Sequence, residues 1–207
     1  MKSKPDYKLY LVTDSSMCNT GLEDAVTMAI KGGVTTVQLR EKNTSTSEFY
    51  SRAVAIREIT AKHGVTLIIN DRLDIAQAVG ADGVHLGPHD LPVSAARRVL
   101  GDDFIIGASA REVETAIKAY EDGADYLGVG AVFGTSTKND AEKIELETLS
   151  EITKAVPIPV VAIGGINLSN IGKLQGAGIA GVAVVSAIMK SDEIEKTASE
   201  FHNRLIL

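Results

Sequence analysis

Lys138 closes the run Gly134-Thr135-Ser136-Thr137-Lys138, and a second cation-bearing stretch, Gln38-Leu39-Arg40-Glu41-Lys42, lies far upstream of it. Fixed positive charge beside hydroxyl and amide donors suits a phosphate group, which presents several acceptor oxygens at once. Asp71, after Leu67-Ile68-Ile69-Asn70, and Asp90, after His85-Leu86-Gly87-Pro88-His89, follow similar apolar runs. A sparse carboxylate pair of this kind suits Mg²⁺, which takes one or two protein carboxylates and completes its octahedron with water and phosphate oxygens. The plainer reading makes Asp71 a helix N-cap and Asp90 a turn residue.

These residues need a scaffold that brings distant segments to one place. Short apolar runs recur at Leu9–Thr13, Thr35–Arg40, Thr66–Asn70, Gly83–Leu86, Phe104–Ala108, Tyr126–Val132, Pro159–Ile163 and Gly181–Val185. Most are rich in Val and Ile on both strand faces, as buried parallel strands are, and helical patterns such as Glu48–Ala61 and Arg111–Tyr120 lie between them. Gly33, Gly80, Gly123 and Gly178 each stand just before an even-numbered run, where a left-handed glycine can end the preceding helix. The pattern predicts an α/β fold, a single (β/α)8 TIM barrel over residues 1–207. An open doubly wound sheet is the alternative, but its Gly-x-Gly-x-x-Gly fingerprint after the first strand is missing.

In a barrel the loops after the strands carry the chemistry. The longest irregular stretch, Gly134–Lys143, follows the sixth run and so falls there. Side chains alternate along a strand, so Gln38, Arg40 and Lys42 share one face while Val37, Leu39 and Glu41 share the other. If Val37 and Leu39 pack on helices, the polar triple points inward, where cations need anions; a structural ion-pair ladder is the competing account. Ile163-Gly164-Gly165-Ile166 and Val184-Val185-Ser186-Ala187 follow the seventh and eighth runs, the usual phosphate-monoester position in such barrels. Ser109, ending the fifth run, can hydrogen-bond a polar ring but has no adjacent histidine to make it a nucleophile. His85 and His89 flank Gly87-Pro88 without a third ligand nearby, and a structural role outweighs zinc binding.

Composition narrows the function classes. A formal charge of −6 argues against a general nucleic-acid surface, which needs a basic face. One cysteine, Cys18, excludes an internal disulfide framework and fits a reducing cytoplasm, with a free loop thiol as its expected state. No apolar run approaches the ~18 residues a membrane helix needs, and the polar start Met1–Asp6 lacks the apolar core of a signal peptide. A cytoplasmic protein acting on small molecules is expected, with no nucleic-acid or membrane partner and homo-oligomerisation left open.

From Tyr10 to about Ile188 the chain resembles the thiamine phosphate synthase family. Gln38–Lys42 matches its Gln-Leu-Arg-x-Lys segment, Asn70-Asp71-Arg72 its Asn-Asp-Arg, His85 to Asp90 its His-x-Gly-x-x-Asp, and Thr135–Lys138 its Thr-x-Thr/Ser-Lys. The resemblance implies coupling of 4-amino-5-hydroxymethyl-2-methylpyrimidine diphosphate to a thiazole ethyl phosphate, with release of pyrophosphate. It implies a pyrimidine diphosphate site at Gln38, Leu39, Arg40, Glu41, Lys42, Asn70, Ser109 and Lys138, and Mg²⁺ on Asp71 and Asp90. Thr135, Ser136, Thr137, Gly165, Val185 and Ser186 are the implied thiazole phosphate site. Arg40, Lys42, Lys138 and Ser109 are the implied catalytic set, acting by position and charge without a protein nucleophile.

Pro88 and Arg111 depart from the family pattern, where Gln and His are frequent. A sister family of thiazole tautomerases shares the barrel but lacks the full set of Lys42, Asp71, Asp90 and Lys138. A non-catalytic binder of thiamine precursors and a sugar-phosphate epimerase are the other readings.

Overall fold

Hydrophobic alternation builds the barrel wall. In the computed structural model, which describes residues 5–42, 44–134 and 143–205, eight parallel strands close into a ring in sequence order. They are β1 (Leu9–Val12), β2 (Thr36–Leu39), β3 (Thr66–Asn70), β4 (Gly83–Leu86), β5 (Ile105–Ala110), β6 (Tyr126–Val129), β7 (Val160–Ile163) and β8 (Gly181–Val184). The ring closes where Tyr10 pairs with Thr36 on one side and with Ala183 on the other.

Each strand sends alternate residues outward and inward. Leu9, Leu11, Val37, Leu39, Leu67, Ile69, Val84 and Leu86 join one apolar cluster with the helices, whereas Tyr7, Tyr10, Val12, Ile68, Ile105, Tyr126, Val161 and Ala183 form a second cluster inside the ring. The interior mixes large side chains with glycines. A Cβ on Gly107 would lie 2.1 Å from the Tyr126 ring, and one on Gly128 would lie 2.9 Å from the His85 ring. The space glycine leaves is thus filled by a neighbour's ring, which is how a small barrel reaches close packing.

Helices α1 (Leu22–Lys31), α2 (Thr46–His63), α3 (Leu73–Val79), α4 (Val93–Leu100), α5 (Val113–Glu121) and α6 (Leu146–Ala155) occupy the first six crossovers, and α7 (Ser186–Met189) and α8 (Ile194–Arg204) follow β8. Helix α2 outruns the expected Glu48–Ala61 because Ser45 and Glu48 form a capping box and Gly64 stops it in left-handed conformation. The glycine expectation needs one correction. Gly33, Gly80, Gly123 and Gly178 all have positive φ, but Gly178 ends no α-helix, since the crossover from β7 to β8 holds only a 3-10 turn at Ile171–Leu174. Gly172, Gly176 and Gly178 interrupt that segment, and each glycine in a helix costs ~1 kcal/mol. None of the described helices is long and apolar enough to cross a membrane.

Arg97 on α4 ties three elements together. Its guanidinium donates to the carbonyls of Gly101, Phe104 and Gly123 and to Asp125 Oδ2 at 2.6–2.8 Å. Arg97→Met keeps most of the apolar stem but removes the donor to the three carbonyls and to Asp125, whose Oδ2 still accepts from the Ile106 N–H. The expected cost is ~2–3 kcal/mol, read as a lower urea midpoint at unchanged slope.

Candidate active site at the carboxyl rim

Because every strand is parallel, all the segments that follow them open on one rim of the barrel. At β2, Gln38 is buried inside the ring and its Nε2 donates to the Tyr10 hydroxyl at 2.8 Å. Arg40 is also buried, and its backbone N–H donates to Thr13 Oγ1 at 3.0 Å. Among the described residues its ion-pair partner is Asp14, at 3.6 Å, a loose contact rather than a tight fork. Lys42 lies exposed beyond the strand.

The intervening residues face elsewhere, as alternation requires. Leu39 is fully buried in the helix-side cluster. Glu41 accepts from Ser15 Oγ at 2.8 Å and from Arg52 of α2, and its other oxygen, Oε1, is buried with no hydrogen-bond partner among the described residues. Of the Gln38–Lys42 stretch, the Leu39 and Glu41 side chains therefore point away from the barrel interior.

Strand β3 ends at Asn70, whose register partner is His85 on β4. Asp71 then turns the chain with φ 63°, a left-handed conformation that Asp tolerates better than most residues, and its N–H donates to His85 O at 2.9 Å. The N-cap of α3 is Arg72, so Asp71 is not the cap that the plainer reading made it. Asp90 does occupy a turn, accepting the Gly87 N–H on Oδ2 at 2.7 Å, which fixes its carboxylate. Among the described residues no three His, Cys, Asp or Glu gather into a metal cage. Two oxygen donors on adjacent strand ends fit a hard divalent ion whose remaining ligands come from water and phosphate.

The interior holds a hydrogen-bonded chain that sequence reasoning missed. From Gln38 it passes to the Tyr10 hydroxyl, to the Tyr126 hydroxyl at 2.8 Å, to His85 Nδ1 at 3.0 Å, and from His85 Nε2 to Ser109 Oγ at 3.0 Å. Desolvation pushes the pKa of Tyr10 and Tyr126 well above the ordinary tyrosine range, and that of Tyr7 likewise. The signal was present in Leu9-Tyr10-Leu11, where alternation sends the tyrosine inward and a buried phenol needs a partner.

On the far side of the rim, Gly164 and Gly165 take φ of 107° and 64°. A Cβ on Gly165 would sit 2.1 Å from Gly134 O, so only glycine lets this loop lie against the one that follows β6. Asn170 Nδ2 donates to Gly165 O at 2.9 Å and holds the turn. Val185 packs on the interior cluster and Ser186 begins α7. Thr135, Ser136, Thr137 and Lys138 lie outside the described residues.

Residues 9–188 match the family model for thiamine monophosphate synthase. The chain is 55% identical over 201 residues to a thiamine-phosphate synthase of Ruminiclostridium cellulolyticum, covering 97% of this chain and 96% of that one. It is 49% identical over 207 residues to that of Clostridium beijerinckii, covering 100% and 99%. Among solved structures, a thiamine phosphate pyrophosphorylase from Pyrococcus furiosus superposes with a TM-score of 0.91 at 40% identity, covering 97% and 96%. A family match over most of the chain and near full-length relatives at this identity leave one assignment: the chain belongs to the thiamine monophosphate synthase family and is a transferase.

Proposed function

We propose that the chain joins 4-amino-5-hydroxymethyl-2-methylpyrimidine diphosphate to a thiazole ethyl phosphate, giving thiamine phosphate and pyrophosphate. The observation that carries this reading is the convergence on one rim of a buried cation at β2, carboxylates after β3 and β4, and a glycine turn after β7. Arg40 and Lys42, with Asn70 and Lys138, bind the diphosphate, and Gln38 and Ser109 orient the pyrimidine. Thr135, Ser136, Thr137, Gly165, Val185 and Ser186 take the thiazole phosphate.

The chemistry needs no protein nucleophile. The bond from the pyrimidine methylene carbon to the diphosphate oxygen breaks, its electron pair leaves with the diphosphate, and the thiazole nitrogen lone pair forms the new bond to carbon. The aminopyrimidine ring spreads the positive charge in between. Asp71 and Asp90 would hold Mg²⁺, which supplies neutralisation of the leaving diphosphate. The cations of the chain add to that neutralisation in a site whose dipoles are already oriented. The reading extends to one domain over residues 1–207, a cytoplasmic setting and small-molecule partners alone.

Incubation with both substrates and Mg²⁺ tests it: stoichiometric pyrophosphate and thiamine phosphate are expected, and release of neither would end the reading. Asp90→Asn should retain the fold, because the amide oxygen can still accept from Gly87, while turnover drops by roughly 10²-fold. Wild-type turnover in that variant would remove Asp90 from the site.

A further inference from the structure

We infer that Tyr10, Tyr126 and His85 are positioning residues that impose one direction on the interior hydrogen-bond chain and so make Ser109 a proton donor toward the rim. This inference rests on the pyrimidine site proposed above and adds residues that do not themselves belong to it. An amide nitrogen only donates, so Gln38 Nε2, 2.8 Å from the Tyr10 oxygen, fills one of that oxygen's acceptor positions.

Tyr10 is buried, and among the described residues the remaining partner for its own proton is the Tyr126 oxygen. Tyr126 must then donate onward to His85 Nδ1, the nitrogen that faces it at 3.0 Å. A neutral imidazole that accepts at Nδ1 carries its hydrogen on Nε2, which donates to Ser109 Oγ at 3.0 Å. Ser109, occupied as an acceptor, is left with its hydroxyl proton to give. Running the chain the other way with the amide as placed would make the Tyr10 oxygen accept from both neighbours and leave its own proton without an acceptor among the described residues.

Packing holds this direction in place. Gly107 and Gly128 leave the space that the Tyr126 and His85 rings fill, and Tyr7 lies against Tyr126 with ring centroids 4.7 Å apart. The two ends of the chain therefore offer different things to a flat heteroaromatic ring: the Gln38 carbonyl oxygen accepts and the Ser109 hydroxyl donates. That pair complements a ring bearing an amino group beside an unprotonated nitrogen, the pattern of an aminopyrimidine.

The test uses the full-length protein labelled with ¹⁵N-histidine. Of the four histidines, the His85 signals are those lost in His85→Gln. The expected state is a neutral ring protonated at Nε2; a ring protonated at Nδ1 would overturn the inference, because it requires the chain reversed and the Gln38 amide turned over. Tyr126→Phe removes one hydroxyl at nearly constant volume and should mix the two tautomers. In steady-state assays it should raise KM for the pyrimidine diphosphate about tenfold while KM for the thiazole phosphate stays within about twofold. Equal effects on both substrates, or none on either, would reduce the chain to a structural role and defeat the inference. Tyr10→Phe, with the same expectations, replaces Tyr126→Phe if that variant does not fold. If the wild type turns over neither substrate, the functional proposal falls, and the tautomer measurement still decides the direction of the chain.

Discussion

Arg40→Met lowers turnover by roughly 10²–10³-fold, the largest kinetic effect expected of any single change among the described residues. Among the described residues Arg40 is the one cation of the rim that is buried, and a charge held out of water acts on a leaving diphosphate with less screening than an exposed lysine can. Its contact with Asp14 is loose at 3.6 Å, so little of its hydrogen-bonding capacity is spent there. Methionine keeps the apolar volume and removes the charge. Because Asp14 is partly exposed, its loss of a partner should cost at most ~1 kcal/mol of stability. Rate and denaturation together decide the matter: unchanged turnover with a large loss of stability would identify Arg40 as part of a structural ion-pair ladder instead. Arg40→Lys retains charge without the planar fork and should fall between the two.

The largest stability effect belongs to a residue with no side chain. Gly181 opens β8 at the seam where the ring closes on β1, and an added Cβ would lie 1.7 Å from Tyr7 O and 3.0 Å from Lys8 O. Both obstacles are backbone, so no rotamer change relieves them. Gly181→Ala must push β8 away from β1, and a loss of about 3 kcal/mol or more is expected, a large part of a typical domain's stability. For a chain of this size that is a fall in Tm of roughly 6–12 °C, or loss of soluble protein. Gly64→Ala is the control. Gly64 has φ 67° with nothing within 4 Å, so alanine there meets only backbone strain worth ~1 kcal/mol. Equal effects of the two substitutions would show that the seam tolerates displacement.

The scaffold was largely legible in the chain because parallel strands buried on both faces must be apolar throughout, and all eight apolar runs became strands. Ends were less so: Tyr126–Val132 reads as one run, yet β6 stops at Val129 and Gly130 follows. A helix ended by Gly178 is expected in the crossover after β7, and the glycines there hold it to a single 3-10 turn. For the site, residues next to strand ends could be placed from sequence, since topology alone carries Asn70, Asp71 and Ser109 to the rim. What could not be read were pairings that depend on the ring's register and interior packing. Tyr10 meets Tyr126, and Arg52 reaches Glu41, across separations that no local pattern encodes.

The interior tyrosines also give the molecule an optical property. The chain has no tryptophan and five tyrosines, so its near-ultraviolet absorbance belongs mainly to phenols, and Tyr7, Tyr10 and Tyr126 are sealed in the ring. Folding raises their pKa, so the stability this contributes is present below the ordinary tyrosine range and is lost as pH climbs above it toward the folded values. In alkali, then, the native protein withholds three phenolate chromophores that the opened chain releases. The red shift of that band becomes a built-in, label-free clock for barrel opening.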